Sequence, residues 1–150
     1  HEHKGTAFVE ILQNCPVFND GIWDEVQDRK SRAKASLVLE HGQPLVYGEP
    51  GARKGIVFKD GIPSVIELAD DQDPIEAGVV VHDERPNSPS YAGVLATLQR
   101  PEFPLPVGVF RAVEKPTYES MLQDQVDTAI EERGRGNLHD LLHSGDTWTI

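Results

Sequence analysis

The N-terminal part of the chain carries a continuous apolar run instead of an alternating pattern. Residues 6–12 are apolar at nearly every position, with Glu10 as the exception. Such a run is typical of a parallel strand that is covered on both faces. The turn sequence Asn19-Asp20-Gly21 follows. Asp20 is a candidate N-cap for a short helix at residues 22–28.

The middle of the chain places short apolar stretches between turn signals, which predicts a region rich in strands and loops. The dipeptide Asp60-Gly61 lies between two of these stretches and is a strong hairpin signal. The predicted strands are residues 36–39, 45–47, 55–58, 64–68, 78–81 and 107–113.

Helical spacing of apolar residues occurs in the second half of the chain. A first helix is predicted around Tyr91 to Leu98. A longer helix begins after Pro116 and ends near Gly134, and a short helix at residues 138–142 follows. The longer helix carries an apolar stripe, formed by Tyr118, Met121, Leu122, Val126, Ala129 and Ile130. We expect this apolar stripe to pack within the subunit or against a partner.

Charge and composition exclude several classes of partner. The chain of 150 residues has 25 acidic and 14 basic residues, a net charge of -11. Nucleic acids and anionic membranes favour clustered Lys and Arg, so neither is an expected partner. No apolar run approaches the roughly 20 residues that span a bilayer. There is no signal-peptide pattern and only one cysteine, so the cytoplasm is the expected location.

The single cysteine, Cys15, directly follows the predicted first strand, at the end where α/β folds place ligands. A thiolate is a soft ligand that suits iron-sulfur clusters. A lone cysteine is more often a small buried apolar residue. A third interpretation is a nucleophilic thiol paired with a base such as His41 or His82. Composition leaves all three open.

Three further sequences contain possible ligands, and each has a simpler interpretation. His139 and His143 are spaced to share one helix face, with Asp140 between them, but no third metal ligand is evident. Residues 70–73 are acidic but lack the glycine and the terminal Glu of a calcium loop. Residues 48–55 lack the Gly-Lys-Ser/Thr ending of a phosphate loop. We interpret the two histidines as exposed helix residues, residues 70–73 as a solvated loop and residues 48–55 as a hairpin connection.

Several separated segments, in the same order, resemble the β subunits of thiamine-dependent 2-oxoacid:ferredoxin oxidoreductases, above all the 2-oxoglutarate type. The matching segments are Phe8-Val9-Glu10-Ile11-Leu12-Gln13-Asn14-Cys15, Phe18-Asn19-Asp20-Gly21, Leu39-Glu40-His41-Gly42-Gln43-Pro44-Leu45, Val81-His82-Asp83-Glu84 and Pro106-Val107-Gly108-Val109-Phe110-Arg111. Together they extend over most of the chain.

The resemblance implies an enzyme that decarboxylates 2-oxoglutarate on thiamine diphosphate. It also implies that coenzyme A takes the acyl group and that ferredoxin takes the electrons. The implied partner is an α subunit, in a heterodimer or larger assembly. Cys15 matches the last of four ligands to a 4Fe-4S cluster. Asn14 then either shapes the cluster pocket or is a simple turn residue.

The chain also departs from the family pattern. The Gly-Asp-Gly element and the Mg-binding Asn of the thiamine motif have no match here, and neither do the other cluster cysteines. Thiamine diphosphate and Mg are therefore expected to be bound mainly by residues outside this stretch, which alone is expected to be inactive. Because the chain starts at His1, just before a strand, we expect the C-terminal part of a longer subunit.

The expected fold class is α/β. Residues 1–35 would end a doubly wound domain that binds thiamine diphosphate. Residues 36–150 would form a strand- and loop-rich extension with a C-terminal helix. Two other functions stay open: a non-catalytic assembly or regulatory module, and a thiol enzyme that uses Cys15.

Overall fold

The computed structural model describes residues 3–146 and 148, which form two compact units. One unit is Glu10–Val113. The other combines the described residues up to Val9 with those from Glu114 onwards. The proposed domain boundary after residue 35 refers to a longer subunit and stays a prediction.

Helices and strands are mixed along the chain, which confirms the α/β class in its broad sense. The Glu10–Val113 unit contains α1 (Asp24–Gln27), α2 (Arg32–Ala35), β1 (Ser36–Leu39), β2 (Val46–Tyr47), β3 (Arg53–Lys59), β4 (Ile62–Leu68), α3 (Ser90–Ala96) and β5 (Leu105–Gly108). The other unit contains α4 (Tyr118–Arg133) and α5 (Leu138–Leu142).

The predicted hairpin is confirmed and lies in a three-stranded antiparallel sheet of order β2-β3-β4. Lys59 pairs with Ile62, so the strands extend right up to the two-residue turn. Both turn residues have positive φ, 52° at Asp60 and 80° at Gly61. This is the geometry of a tight hairpin turn that matches the strand twist, and it explains why Asp-Gly is found there.

A second sheet pairs β1 with β5 in parallel, from Ser36 opposite Leu105 to Leu39 opposite Gly108. The last strand therefore starts two residues earlier than predicted and stops at Gly108, because its partner β1 ends there. The predicted strand at residues 78–81 is reduced to an isolated bridge between Val81 and Pro44.

The core lies in the Glu10–Val113 unit and brings together residues from both sheets and from α3. Leu95 and Leu98 are buried, as the helical spacing predicted. The buried apolar cluster consists of Leu37, Leu39, Leu45, Ile56, Val57, Leu68, Val79, Leu95 and Leu98. Removing such side chains from water is the main stabilising contribution to the fold.

The prediction of a buried strand at residues 6–12 was wrong for the structure described. These residues form no strand, and Phe8 and Ile11 are 90% and 81% exposed. A strand of this kind needs neighbouring strands and covering helices to bury both of its faces. The described part of the chain supplies none for it.

The predicted N-cap at Asp20 was also wrong. Helix α1 starts later than expected, at Asp24, and Trp23 precedes it without a capping side chain. The carboxylate of Asp20 instead accepts a hydrogen bond from Asn14 Nδ2, at 2.9 Å. An Asp in a loop is free to bond to a neighbouring amide, and this competes with capping.

Helix α4 is confirmed, but its apolar stripe is exposed. Thr117 caps the helix by accepting a hydrogen bond from the Ser120 N–H, at 3.2 Å. Among the stripe residues, Tyr118 is 72% exposed and Leu122 46% exposed. The stripe is therefore not buried within the described residues. Packing against a partner stays a prediction.

Adding one methyl group at Gly55 should destabilise the chain. A Cβ there would overlap with Val79 Cγ2 and lie 3.2 Å from Leu68 Cδ1, both in buried side chains. Overpacking of this kind costs about 1–3 kcal/mol, and we expect Gly55→Ala to lose that much unfolding free energy in urea titrations. Gly93→Ala is the matched control, because α3 leaves open space there and alanine favours helix. Equal stability of the two variants would contradict the packing around Gly55.

Candidate functional site

Cys15 lies in a closed loop, here called the Cys15 loop, which comprises residues 14–21. The carbonyl of Cys15 accepts a hydrogen bond from the Asn19 N–H, at 2.9 Å. Asn14 closes the loop on the other side, since its Oδ1 accepts from the Gly21 N–H at 3.0 Å while its Nδ2 donates to Asp20. Both ends of the Asn14 amide are thus used within the loop. The structure gives Asn14 the position of a loop-closing residue next to the thiol.

The thiol of Cys15 is partly exposed and has a lowered pKa. The backbone amides of Phe18 and Val17 are the main cause, with a smaller contribution from Asn19. Partial burial acts in the opposite direction and is outweighed. N–H groups directed at the sulfur favour the anionic form, as a loop of successive amides does for other anions. The loop therefore favours the anionic form of the thiol more than a fully solvated cysteine would.

A thiolate in this setting fits one ligand position of an iron-sulfur cluster. Metal ligation requires the deprotonated sulfur, and N–H groups near the sulfur tune such clusters. Within residues 3–146 and 148, no group of three or more His, Cys, Asp or Glu side chains is placed to hold a metal. A cluster bound at Cys15 would therefore need further ligands from other residues.

The residues on either side of the Cys15 loop are held by contacts that the sequence did not reveal. Trp23 Nε1 donates to the carbonyl of Gln13, at 3.2 Å. Arg100 donates to the Glu25 carboxylate and to the carbonyl of Ile22, each at 2.8 Å. Arg100 is distant in sequence and lies beside prolines, so no periodic pattern could have indicated its role.

Two apolar side chains of the loop are exposed beside the thiol. Val17 is 78% exposed and Phe18 is 85% exposed. Exposed apolar groups next to a potential ligand position are typical of a surface that another protein segment covers.

His82, one of the two bases suggested for a thiol enzyme, is a core residue. It is 1% exposed. Its Nε2 lies 2.8 Å from the carbonyl of Val109, which can only accept, so Nε2 carries the proton. Its Nδ1 then accepts from the Tyr91 hydroxyl, at 3.1 Å. Both ring nitrogens are used, and His82 is not free to act as a base.

This His82 network also joins two of the segments that carry the family resemblance. The residues 81–84 segment contacts the residues 106–111 segment through His82 and Val109. The backbone N–H of Ala112 donates to the carbonyl of Glu84, at 2.7 Å, and extends this contact. The matched segments therefore include a structural contact in the core, apart from the Cys15 loop.

His41, the other suggested base, has its Nδ1 engaged as well. It accepts a hydrogen bond from the Glu84 N–H, at 3.3 Å. The groups that change the pKa of Cys15 are backbone amides and partial burial, and no histidine is among them. The structure therefore gives no support to a Cys-His pair.

The remaining sequence candidates have local roles. Asp70 Oδ1 accepts from the Gly51 N–H at 2.7 Å, and Asp73 Oδ1 accepts from the Ile75 N–H at 2.7 Å. These carboxylates stabilise turns. Residues 48–52 connect β2 to β3, as the hairpin interpretation predicted. In the described part of the chain, no helix has the length and apolar character needed to cross a membrane.

Comparison with characterised proteins identifies a relative. The chain is 37% identical, over 153 aligned residues, to the 2-oxoglutarate oxidoreductase subunit KorB of Mycobacterium tuberculosis (strain ATCC 25618 / H37Rv). The alignment covers 99% of this chain. The predicted resemblance is confirmed. The chain spans only 39% of the length of KorB, in keeping with a resemblance to one part of that subunit. No family profile and no solved structure matches the chain.

Proposed function

We propose that this chain is the C-terminal part of the β subunit of a 2-oxoglutarate:ferredoxin oxidoreductase. The observation that carries the proposal is the 37% identity to KorB across 99% of the chain. The activity would be the coenzyme A-dependent oxidative decarboxylation of 2-oxoglutarate. Residues 1–35 would complete the thiamine diphosphate domain, and residues 36–150 would be the extension that follows it.

In this proposal Cys15 supplies the fourth thiolate to a 4Fe-4S cluster. The support is the Cys15 loop, which holds the thiol partly exposed and lowers its pKa through backbone amides. When bound, thiamine diphosphate with Mg would supply carbanion stabilisation, and the cluster would supply one-electron transfer. The role of Cys15 is to hold iron, and that of Asn14 is to close the loop around the ligand.

The proposed partners are the α subunit and ferredoxin, in the cytoplasm. The exposed apolar stripe on α4 supports a protein partner, because four of its residues are more than two-fifths exposed. The side chains are Tyr118, Met121, Leu122 and Val126. An acidic net charge gives no reason to expect nucleic acid.

Leu122→Asp should impair assembly far more than it impairs the chain itself. Leu122 is 46% exposed, so a charge there remains hydrated in the free chain. Against an apolar partner surface the same charge is desolvated, at a cost of several kcal/mol. We expect size-exclusion chromatography to show loss of the complex while the melting temperature of the chain stays nearly constant.

Ser120→Asp is the matched control for this experiment, since Ser120 is an exposed polar residue of the same helix. Two residues before Leu122, it lies on the opposite face of the helix, so the same charge there should leave the complex intact. Normal elution of the Leu122→Asp complex would show that the stripe is not an interface.

The substrate can be tested with the complete complex. The assay is coenzyme A-dependent reduction of ferredoxin or viologen, with 2-oxoglutarate and pyruvate compared through kcat/KM. We expect 2-oxoglutarate to be preferred. A preference for pyruvate of about tenfold, or 1.4 kcal/mol in transition-state binding, would overturn the proposed substrate. Absence of activity with any 2-oxoacid would overturn the enzyme proposal.

A thiol enzyme is the second candidate function, because the lowered pKa of Cys15 would also suit a nucleophile. A nucleophile of this kind requires a base within hydrogen-bond reach, and the described histidines discussed above are engaged elsewhere. The third candidate, a non-catalytic assembly module, draws on the exposed stripe alone. Iron bound through Cys15 would support the oxidoreductase subunit over both the thiol enzyme and the assembly module.

A further inference from the structure

Helix α5 places two imidazoles side by side. His139 and His143 are separated by one helical turn, and their ring centroids are 4.3 Å apart with an angle of 23° between the planes. Both residues are exposed, and α5 spans only Leu138–Leu142. Residues four apart on a helix share one face, which explains the approach.

The hydrogen bonds of the pair determine which nitrogens are free. His143 Nδ1 lies 2.7 Å from the carbonyl of His139, and since a carbonyl only accepts, Nδ1 carries the proton. His139 Nδ1 lies 3.8 Å from the Asp140 carboxylate, which is too far for a hydrogen bond. His143 Nε2 is therefore left with a lone pair, and a neutral His139 ring carries a lone pair on one of its two nitrogens.

We propose that His139 and His143 bind a divalent transition-metal cation, such as Zn²⁺, through their Nε2 atoms, with water completing the coordination. Imidazole suits Zn²⁺, Cu²⁺ and Ni²⁺. Metal-binding histidines normally donate their other N–H to a carbonyl or carboxylate, and the carbonyl of His139 occupies this position for His143. The Asp140 charge also favours a cation.

The two rings would have to tilt so that their nitrogens share one ion. Two nitrogens on one tetrahedral zinc lie about 3.4 Å apart, given zinc–nitrogen bonds near 2.05 Å. The stacked rings are 4.3 Å apart at their centroids. Because both side chains are exposed, they can tilt towards a common ion without moving the backbone. With two protein ligands the site is open, so exchange of the ion with solvent is expected to be fast.

Binding would also stabilise a helix that is otherwise short. A helix of five residues has few intrahelical hydrogen bonds and is marginal by itself. A cation that joins positions 139 and 143 closes one turn of it. The site contains imidazoles only and does not include Cys15, so it does not depend on the proposed enzyme function.

Equilibrium dialysis of the native complex against micromolar ZnCl₂, with metal analysis, tests the site. The variants are His139→Gln/His143→Gln and, as the matched control, His41→Gln, which removes one exposed histidine elsewhere. We expect the double variant to bind one zinc ion fewer per chain than the parent, or to bind zinc at least about tenfold more weakly. The His41→Gln complex should bind zinc like the parent. Equal binding by the parent and the double variant would overturn the proposal.

Hydrogen exchange gives a second readout. Zinc should slow amide exchange in residues 138–143 of the parent complex and leave that segment unchanged in the double variant. Zinc-dependent protection of the same size in both proteins would show that the cation acts elsewhere and would overturn the site.

Discussion

Replacing Cys15 by serine in the assembled complex should lower its iron content and its 2-oxoacid-dependent activity together. Serine keeps the size of the side chain and the backbone hydrogen bond from Asn19. It removes the soft thiolate that iron-sulfur clusters require. Mutating a residue that only hydrogen-bonds to a metal ligand typically lowers metal affinity or activity about 10–100-fold. Losing a ligand itself should therefore reduce activity by at least that factor.

Val17→Ala is the matched control for Cys15→Ser. It trims an exposed side chain next to the thiol but keeps the amide that lowers the pKa of Cys15. Iron content and the broad visible absorption of the purified complexes are the measurements. If Cys15→Ser retained full iron but lost activity, the thiol-enzyme interpretation would replace the ligand interpretation.

Replacing His82 by alanine should produce the largest loss of stability among the substitutions considered. The imidazole is 1% exposed and bonds to both Val109 and Tyr91. Alanine leaves a cavity and an unpaired carbonyl in the core. We expect a loss of roughly 3–5 kcal/mol. For a chain of this size, that corresponds to a fall of roughly 6–20 °C in Tm.

His41→Ala is the control for that experiment, since His41 is exposed and makes one weak hydrogen bond to the Glu84 N–H. Its loss should cost less than about 1 kcal/mol. Differential scanning calorimetry of both variants provides the comparison. Similar melting temperatures for His82→Ala and His41→Ala would contradict the structural role of His82.

Local signals in the sequence predicted the elements that local chemistry determines. Asp60-Gly61 specified its turn because both residues tolerate positive φ, and this fixed the pairing of β3 with β4. Helix α4 followed from apolar spacing between Pro116 and Gly134, and α5 from apolar spacing alone. The spacing did not show whether the α4 stripe is buried, since the residues that would cover it are not among those of its own helix.

Features that depend on distant residues escaped prediction. Residues 6–12 have the composition of a buried strand, but burial needs neighbouring strands that the described residues do not contain. The same limit applies to Tyr91, Val109 and His82, which meet only in the folded chain. The identity of Cys15 as the candidate ligand came from the resemblance. The amides that lower its pKa became evident only from the loop geometry.

An electron cryomicroscopy structure of the assembled complex that contains this chain would show directly whether Cys15 binds a cluster. We expect a 4Fe-4S cluster with one iron bonded to Cys15 Sγ and the other three ligands contributed by other residues. A cluster with four other ligands and an unbonded Cys15 would show that the proposed role is wrong, as would a complex that holds no cluster near the Cys15 loop.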